Sequence, residues 1–145
     1  KEYVESNKPF MGICLGMQLL FEESEEFGVT VGLGLIPGRV IKLPTKDSQN
    51  EKLPHVSWNE LNSGKIQWSD TVLESIKVGS DMYFVHSFVV QPNDEDNVLS
   101  TTEYSGYNFC SSVKKDNIYG CQFHPEKSGK TGLKIVKNFI RMCEK

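Results

Sequence analysis

The sequence lacks any long uninterrupted run of apolar residues, and it carries no Cys-x-x-Cys motif among its 145 residues. The first absence argues against a membrane-spanning helix, and no secretory signal is recognisable. The second argues against a zinc site or a disulfide framework, so we expect no metal and a reducing, cytoplasmic location. The formal net charge of −3 is mixed in sign, which gives no indication of a nucleic acid or membrane partner.

The length of the chain suits a single domain, residues 1–145, with a core of its own. Lys1 stands where an initiator methionine would be expected, and the first apolar segment follows within a few residues. We therefore expect an N-terminally truncated domain, whose first part would precede Lys1.

The order of the predicted elements is strand, helix, several strands and a final helix, which favours an α/β domain with a mixed, mostly parallel sheet flanked by helices. Helices are predicted over Leu15 to about Glu25, Ser69 to Ile76 and from Thr131 onward, the last with a buried stripe of Leu133, Val136, Ile140 and Cys143. Strands are predicted over Arg39–Leu43, Val56–Leu61, Lys65–Trp68, Asp81–Phe88 and Val98–Tyr104, with a hairpin of Tyr107–Val113 and Ile118–Phe123. Residues 45–52 are predicted to be a polar loop.

Cys14 lies in a Gly-x-Cys-x-Gly sequence between an apolar strand and a helix, the pattern of a nucleophile elbow. Gly12 and Gly16 are expected to leave room around the sharp turn, and the start of the helix is expected to favour the thiolate. The backbone N–H of Leu15 is then directed at an oxyanion formed on the substrate. The alternative is a buried structural cysteine, the role we expect for Cys110, Cys121 and Cys143.

A nucleophilic cysteine needs a base, and His124 is the strongest of the three histidines because it leaves a strand and precedes Pro125 and Glu126. Proline makes the turn rigid, and Glu126 can hold one imidazole nitrogen while the other takes the thiol proton. The alternative for His-Pro-Glu is an ordinary surface turn. A cysteine elbow in the same small domain favours the triad.

Gly12-Ile-Cys-Leu-Gly-Met-Gln18 together with Gln122-Phe-His-Pro-Glu126 resembles the class I glutamine amidotransferases. The segments 21–26, 55–59, 83–87 and 123–128 more closely resemble the glutaminase subunits of imidazole glycerol phosphate synthase. The resemblance runs over nearly the whole chain and implies a flavodoxin-like fold.

The resemblance implies that the enzyme hydrolyses L-glutamine to glutamate and ammonia through a thioester on Cys14, without a cofactor. His124 would move the proton and Glu126 would orient it. The residues implied to bind glutamine are Gln18, Glu26, His86, Ser87 and Phe88.

The resemblance also implies a heterodimer with a (β/α)8-barrel cyclase of histidine biosynthesis, which would receive the ammonia. The implied contact face consists of His55, Trp58, Asn59, Tyr83 and Lys127. Val56-Ser57 departs from the Met-Gly that is more usual in this branch, so a paralogue that feeds a surface-sugar amidotransferase stays open. The family's second oxyanion donor lies in a Pro-Gly-containing loop of the N-terminal part, which this sequence lacks. A non-glutamine α/β hydrolase or a binding module with an elbow cysteine is a further alternative.

Overall fold

The computed structural model describes residues 1–44 and 53–145, so the predicted polar loop 45–52 lies outside the described residues. The helices are α1 Glu2–Glu5, α2 Leu15–Gln18 and α3 Gly129–Cys143, with 3-10 turns at Glu95–Asn97 and Pro125–Lys127. The strands are β1 Phe10–Ile13, β2 Phe21–Ser24, β3 Thr30–Val31, β4 Ile36–Lys42, β5 His55–Glu60, β6 Asn62–Ser63, β7 Asp81–His86, β8 Phe88–Pro92, β9 Val98–Tyr104, β10 Tyr107–Lys115 and β11 Ile118–Cys121.

Within the described ranges, nine strands form one sheet in the order β1-β11-β10-β8-β4-β2-β3, with β9 on β10 and β6 on β9, while β5 and β7 form a second sheet. The parallel pairs are β1 with β11 and β2 with β4. The predicted mixed sheet is therefore confirmed, but the expectation that most strands would be parallel is wrong for the described strands. Short turns join β9, β10 and β11, and such turns force antiparallel pairing.

The apolar core consists of two clusters of buried side chains. One packs around Phe84, Leu99, Phe109 and Phe123, and it includes Ile135 of α3. The other packs α2 onto the sheet through Met17, Leu20, Phe21, Ile36 and Val40. Burial of this apolar surface, at roughly 25 cal/mol per Å², provides the main force that holds α2 in place.

The predicted helix from Leu15 to about Glu25 ends at Gln18, and the residues that follow form β2. Phe21 is fully buried, and β2 pairs with β4 on one side and with β3 on the other. Pairing with other strands has overridden the helical pattern of the sequence, because tertiary contacts outweigh a weak local propensity. Glu22 and Glu23 are exposed, as the acidic run suggested, and the Glu22 carboxylate accepts a hydrogen bond from the Gly38 N–H at 2.9 Å.

Helix α3 starts two residues earlier than predicted, at Gly129, and its buried face is rotated from the predicted stripe. Gly132 and Ile135 are buried, whereas Leu133 and Ile140 are about half-exposed and Cys143 is exposed. A Cβ at position 132 would overlap the carbonyl oxygen of Pro125. This close approach sets the rotation of the helix, which a count of apolar residues cannot show.

Two further predictions fail in the segment before β7. The stretch from Ser69 to Ile76 forms turns instead of a helix, because the Thr71 hydroxyl donates to the Trp68 carbonyl and accepts from the Leu73 N–H. The stretch Lys65–Trp68 is not a strand either. The predicted core strand Asp81–Phe88 is divided at Ser87 between the two sheets.

Several of the predicted strands are confirmed. Val98–Tyr104 is a strand with the predicted bounds, and β10 and β11 form the predicted hairpin. Strand β1 lies parallel to β11, with Ile13 opposite Cys121. Because parallel strands end at the same edge of a sheet, the residues that follow, Cys14 and Gln122, lie side by side.

Candidate active site

Cys14 is the residue at the turn between β1 and α2, and its backbone has the conformation expected of a nucleophile elbow. Its φ of 55° lies in the left-handed region, which a non-glycine residue rarely adopts. Its N–H donates to the carbonyl oxygen of Cys121 at 2.7 Å, so the strained turn is fixed to the neighbouring strand. This hydrogen bond holds the thiol at the edge of the sheet.

The two glycines of the elbow differ in the space that surrounds them. A Cβ at Gly12 would overlap the carbonyl oxygen of Gly16, so the close approach of β1 to α2 requires glycine there. A Cβ at Gly16 would meet no atom within 4 Å. The prediction that both glycines relieve crowding is therefore right for Gly12 and wrong for Gly16.

The Cys14 thiol is partly buried and has two polar neighbours on different strands. Its Sγ lies 3.7 Å from the Val85 carbonyl oxygen and 3.8 Å from Nε2 of Gln122. Burial raises the pKa of the Cys14 thiol and outweighs the hydrogen bonds from the Leu15 backbone and Gln122, which lower it. The negative charge of Glu126 adds to the rise, and the positive charge of Lys127 opposes it.

The resting thiol is therefore protonated at neutral pH, and a base must remove its proton before it can act as a nucleophile. The backbone N–H of Leu15 favours the thiolate, as expected at the start of a helix, but burial outweighs it.

His124 and Glu126 form the contact that the sequence predicts. Nδ1 of His124 lies 2.6 Å from Oε1 of Glu126, with the imidazole about one fifth exposed and the carboxylate less than half exposed. A carboxylate accepts from Nδ1–H, which fixes the tautomer and leaves the Nε2 lone pair of a neutral ring for proton transfer. The pair has the geometry of the base and orienting acid of a triad.

The backbone of His124 is held to β7 at both ends of the residue. Its N–H donates to the carbonyl oxygen of Tyr83 at 3.0 Å, and its own carbonyl accepts from the Ser128 hydroxyl at 2.6 Å. The same hydroxyl oxygen accepts from the Tyr83 N–H at 3.0 Å. Ser128 was not singled out in the sequence, although a hydroxyl four residues after the histidine, at the start of α3, could have suggested it.

Gln18 forms the wall behind the thiol. Its Nε2 donates to the Phe88 carbonyl oxygen at 3.2 Å and to Oε1 of Gln122 at 3.3 Å, and the side chain is 9% exposed. Gln122 is fully buried and connects Gln18 to the Cys14 sulfur. Sequence reasoning treated Gln122 only as part of a motif, and its place at the end of β11 beside the elbow was the available signal.

Within the described residues, no cluster of three or more His, Cys, Asp or Glu side chains could hold a metal ion. Across the same ranges, none of the helices has the length and apolar character needed to cross a bilayer.

A sequence profile of the family described as "Glutamine amidotransferase class-I" matches residues 1–143. The chain belongs to this family. The resemblance inferred from the elbow and the His-Pro-Glu motif is thereby confirmed.

Curated relatives narrow the placement of this amidotransferase. It is 46% identical to imidazole glycerol phosphate synthase subunit HisH 1 of Legionella pneumophila, over 98% of this chain and 68% of that protein. It is 49% identical to subunit HisH of Aquifex aeolicus, over 100% and 66% of the two chains. It is 53% identical to subunit HisH of Methanocaldococcus jannaschii, over 96% of this chain and 66% of that protein. The amidotransferase chain thus spans about two thirds of the length of these relatives.

Solved structures with low sequence identity share the fold. PurLQS from Thermotoga maritima matches with a TM-score of 0.68 and 21% identity over 97% of this chain and 64% of that one. A glutamine amidotransferase from the same organism matches with a TM-score of 0.60 and 17% identity, over 99% and 51%. These likenesses support the predicted α/β, flavodoxin-like architecture of an amidotransferase and nothing finer.

The remaining predicted glutamine-binding residues of the amidotransferase lie in two places. Ser87 and Phe88 follow the end of β7, and both are partly exposed, whereas the His86 side chain is buried behind them. Glu26 lies beyond the end of β2, partly exposed, with its N–H on the Ser24 hydroxyl. The roles of these residues in binding glutamine stay predictions.

Four of the five predicted contact residues lie on or near one surface of the amidotransferase. Trp58 is 52% exposed and its ring lies 5.9 Å from that of Tyr83, Asn59 is partly exposed, and Lys127 is exposed next to Glu126 in the chain. His55 is fully buried, so the prediction that its side chain lies on the contact face is wrong. Its ring packs between Phe84 and Tyr104, at centroid distances of 5.2 and 3.8 Å, and aromatic packing explains the burial.

Proposed function

We propose that this chain is the glutaminase part of an imidazole glycerol phosphate synthase, with Cys14, His124 and Glu126 as its catalytic residues. The observation that carries the proposal is that a strained, partly buried cysteine at a strand end lies within electrostatic reach of the carboxylate that holds His124. The 45–53% identity to HisH subunits supports the choice of this branch.

The mechanism follows from the chemistry of these groups. His124 Nε2 takes the thiol proton, and the Cys14 sulfur attacks the carboxamide carbon of glutamine to form a tetrahedral oxyanion. The Leu15 N–H donates to this oxyanion. The C–N bond then breaks, and imidazolium returns the proton to the departing ammonia, which leaves a thioester. Water attacks the thioester with His124 as base, which releases glutamate and restores the thiol.

Substrate specificity tests this proposal in the full-length protein with its partner present. We expect glutamate release from glutamine, and little product from asparagine or a peptide ester, because Gln18 and the backbone at Ser87 and Phe88 would align only the longer amide. Equal hydrolysis of all three substrates would favour the alternative of a non-glutamine α/β hydrolase.

We further propose that ammonia passes to a (β/α)8-barrel cyclase that docks on Trp58, Asn59, Tyr83 and Lys127. Exposed Trp and Tyr side chains are typical interface anchors, and the charge of Lys127 already acts on the Cys14 pKa. A partner acid that pairs with Lys127 would thus report docking to the thiol. A cytoplasmic heterodimer is the corresponding expectation.

The Lys127→Ala variant tests the docking surface, with Lys130→Ala as the matched control, since Lys130 is exposed on α3. Lys127→Ala should lower partner-stimulated glutaminase activity about 5- to 150-fold, the usual range of allosteric coupling, and lower basal activity much less. Equal losses in both activities would contradict the assignment. Stimulation by a sugar amidotransferase, and none by the cyclase, would favour the paralogue to which Val56 and Ser57 point.

A further inference from the structure

The histidines His55 and His86 form a buried pair that the mechanism above does not use. They lie opposite each other on β5 and β7, with 0% and 6% of their surfaces exposed. Phe109 packs against both rings. Two polar rings in an apolar environment are stable only when their nitrogens have hydrogen-bond partners.

The direction of the hydrogen bonds in this pair can be assigned from its inner end, which is the Nδ1 side of His86. Nδ1 of His86 lies 3.0 Å from the Phe88 carbonyl oxygen, and a carbonyl can only accept, so Nδ1 carries the hydrogen. Burial lowers the pKa of His86 to about 4, so the ring is neutral and its Nε2 is an acceptor. Nδ1 of His55, 2.9 Å away, must therefore donate to it.

The outer end of the pair reaches the contact face. Burial also lowers the pKa of His55, so its Nε2 accepts a hydrogen bond, and the Ser57 hydroxyl at 2.9 Å can donate it. Oδ1 of Asn59 lies 2.7 Å from the same nitrogen while its NH2 group donates to the Glu103 carbonyl at 3.3 Å, and rotation of the amide by 180° would direct the NH2 group at His55 at the cost of that hydrogen bond. Asn59 is partly exposed one residue after Trp58.

Further hydrogen bonds lead from the inner end of the pair to the Cys14 thiol. The Phe88 carbonyl that accepts from His86 also accepts from Nε2 of Gln18 at 3.2 Å. Gln18 contacts Gln122, and Gln122 contacts the Cys14 sulfur. A continuous series of hydrogen bonds therefore runs from Ser57 on β5 to the Cys14 sulfur.

We propose that His55 and His86 are positioning residues for the glutaminase reaction, which hold the Phe88 carbonyl, and through it Gln18 and Gln122, in place behind Cys14. The pair connects the strand that bears Trp58 to the wall of the glutamine pocket. This inference rests on the proposed function, and it gives the buried histidines a role that requires a hydrogen bond and not merely a ring.

Two substitutions of His55 separate these roles, in the full-length protein with its partner. His55→Phe keeps a slightly larger aromatic ring and removes the donor, whereas His55→Asn removes volume and keeps an amide N–H close to the position of Nδ1. A positioning role predicts that kcat/KM for glutamine falls about tenfold in His55→Phe, mainly through KM, as expected for loss of one buried hydrogen bond. His55→Asn should retain more activity than His55→Phe even though its Tm is lower.

Phe109→Leu is the control, since it loosens the packing around both rings without removing a hydrogen bond. It should lower Tm while leaving kcat/KM near that of the wild type. If activity in all three variants follows Tm, the pair is only structural and the proposal is overturned.

Side-chain ¹⁵N NMR of the histidines tests the same proposal without turnover. We expect His86 as the Nδ1–H tautomer, with an Nε2 shift that changes in His55→Phe. An Nε2–H tautomer of His86 would contradict the assigned hydrogen bond from His55 to His86, and would overturn the positioning role even in an active enzyme. Absence of glutaminase activity in the wild type would instead refute the proposed function, and the positioning role would be withdrawn with it.

Discussion

Cys14 and Cys121 lie at the ends of neighbouring strands and are joined by a hydrogen bond from the Cys14 N–H to the Cys121 carbonyl, yet their surroundings differ sharply. Cys121 is the last residue of β11, fully buried, and burial raises the pKa of its thiol to about 12. Cys14 stands one residue beyond the end of β1, with a positive φ and a partly exposed side chain.

This comparison shows that the place of a cysteine relative to the strand end decides whether it can react. A cysteine within the strand directs its sulfur into the core, where the charged form is costly. A cysteine just beyond the strand end gains the Leu15 backbone, the Gln122 amide and the charge of Lys127 as groups that favour the thiolate. Burial still raises the pKa of Cys14, so it becomes a nucleophile only together with a base.

The strongest test of this difference between Cys14 and Cys121 is to remove each thiol in turn from the full-length protein. Cys14→Ala should reduce glutaminase turnover by about 10⁴-fold or more with the fold unchanged, as loss of a nucleophile does in other triads. Cys121→Ala should cost about 1–2 kcal/mol of stability through a small cavity and leave turnover nearly intact. Turnover and urea unfolding measure the two effects, and a folded but inactive Cys121→Ala variant would contradict the assignment.

Glu126→Gln should move turnover and thiol reactivity in opposite directions. Loss of the charge that holds His124 should reduce turnover by about 10²–10⁴-fold, the range for general acid–base catalysis. The same loss removes a negative charge that raises the Cys14 pKa, so iodoacetamide should alkylate Cys14 faster at a pH of about 7.5. Glu144→Gln, an exposed change at the end of α3, is the control and should alter neither rate. Parallel changes in both rates would indicate a general disruption of the site.

The two elbow glycines give a matched pair for stability. Gly12→Ala should destabilise the fold by about 1–3 kcal/mol, because its methyl group would overlap the Gly16 carbonyl and force the backbone apart. Gly16→Ala should be neutral or stabilise by up to about 1 kcal/mol, since its methyl group meets open space in a helix. Urea midpoints of the two variants test this, and an equal loss in both would restore the prediction that both positions are crowded.

The comparison of the cysteines also predicts a pH dependence of stability. Burial raises the pKa of Cys110 and of Cys121 to about 12, from an ordinary value of 9.0. Between pH 9 and 12 the folded state keeps these protons while the unfolded state releases them, so stability falls as pH rises. Each thiol should contribute about 1.4 kcal/mol per pH unit across that window. Urea unfolding from about pH 8 to about pH 11 should show a shallower decline in Cys121→Ala, and an unchanged slope would contradict the burial argument.

Local patterns predicted the His124–Glu126 contact and the elbow at Cys14 because each lies within a few residues of sequence. The Nδ1–Oε1 contact joins residues 124 and 126, and the elbow spans residues 12–16, so spacing alone suffices. Strand β9 was predicted with its bounds because its residues favour a strand and turn signals flank it.

The predictions that failed share one cause, because the structure at those residues depends on partners that are distant in the sequence. Phe21 forms a strand because Ile36 and the rest of β4 lie beside it. His55 is buried because Phe84, Tyr104 and Phe109 come from three other strands to surround it. Gln122 acquires its contacts with Gln18 and Cys14 only when β1 pairs with β11. No window of sequence contains both members of these contacts.

The backbone hydrogen bonds of Cys14 and His124 to other strands have a consequence for heat inactivation. Both amides are tied to strands, through Cys121 and Tyr83, and not to a freely moving loop. Their hydrogens should therefore exchange with deuterium only in openings that separate those strands, which are rare events in a folded domain. Activity should then disappear on heating together with the global unfolding transition, without an earlier phase in which a folded protein has already lost its catalytic geometry.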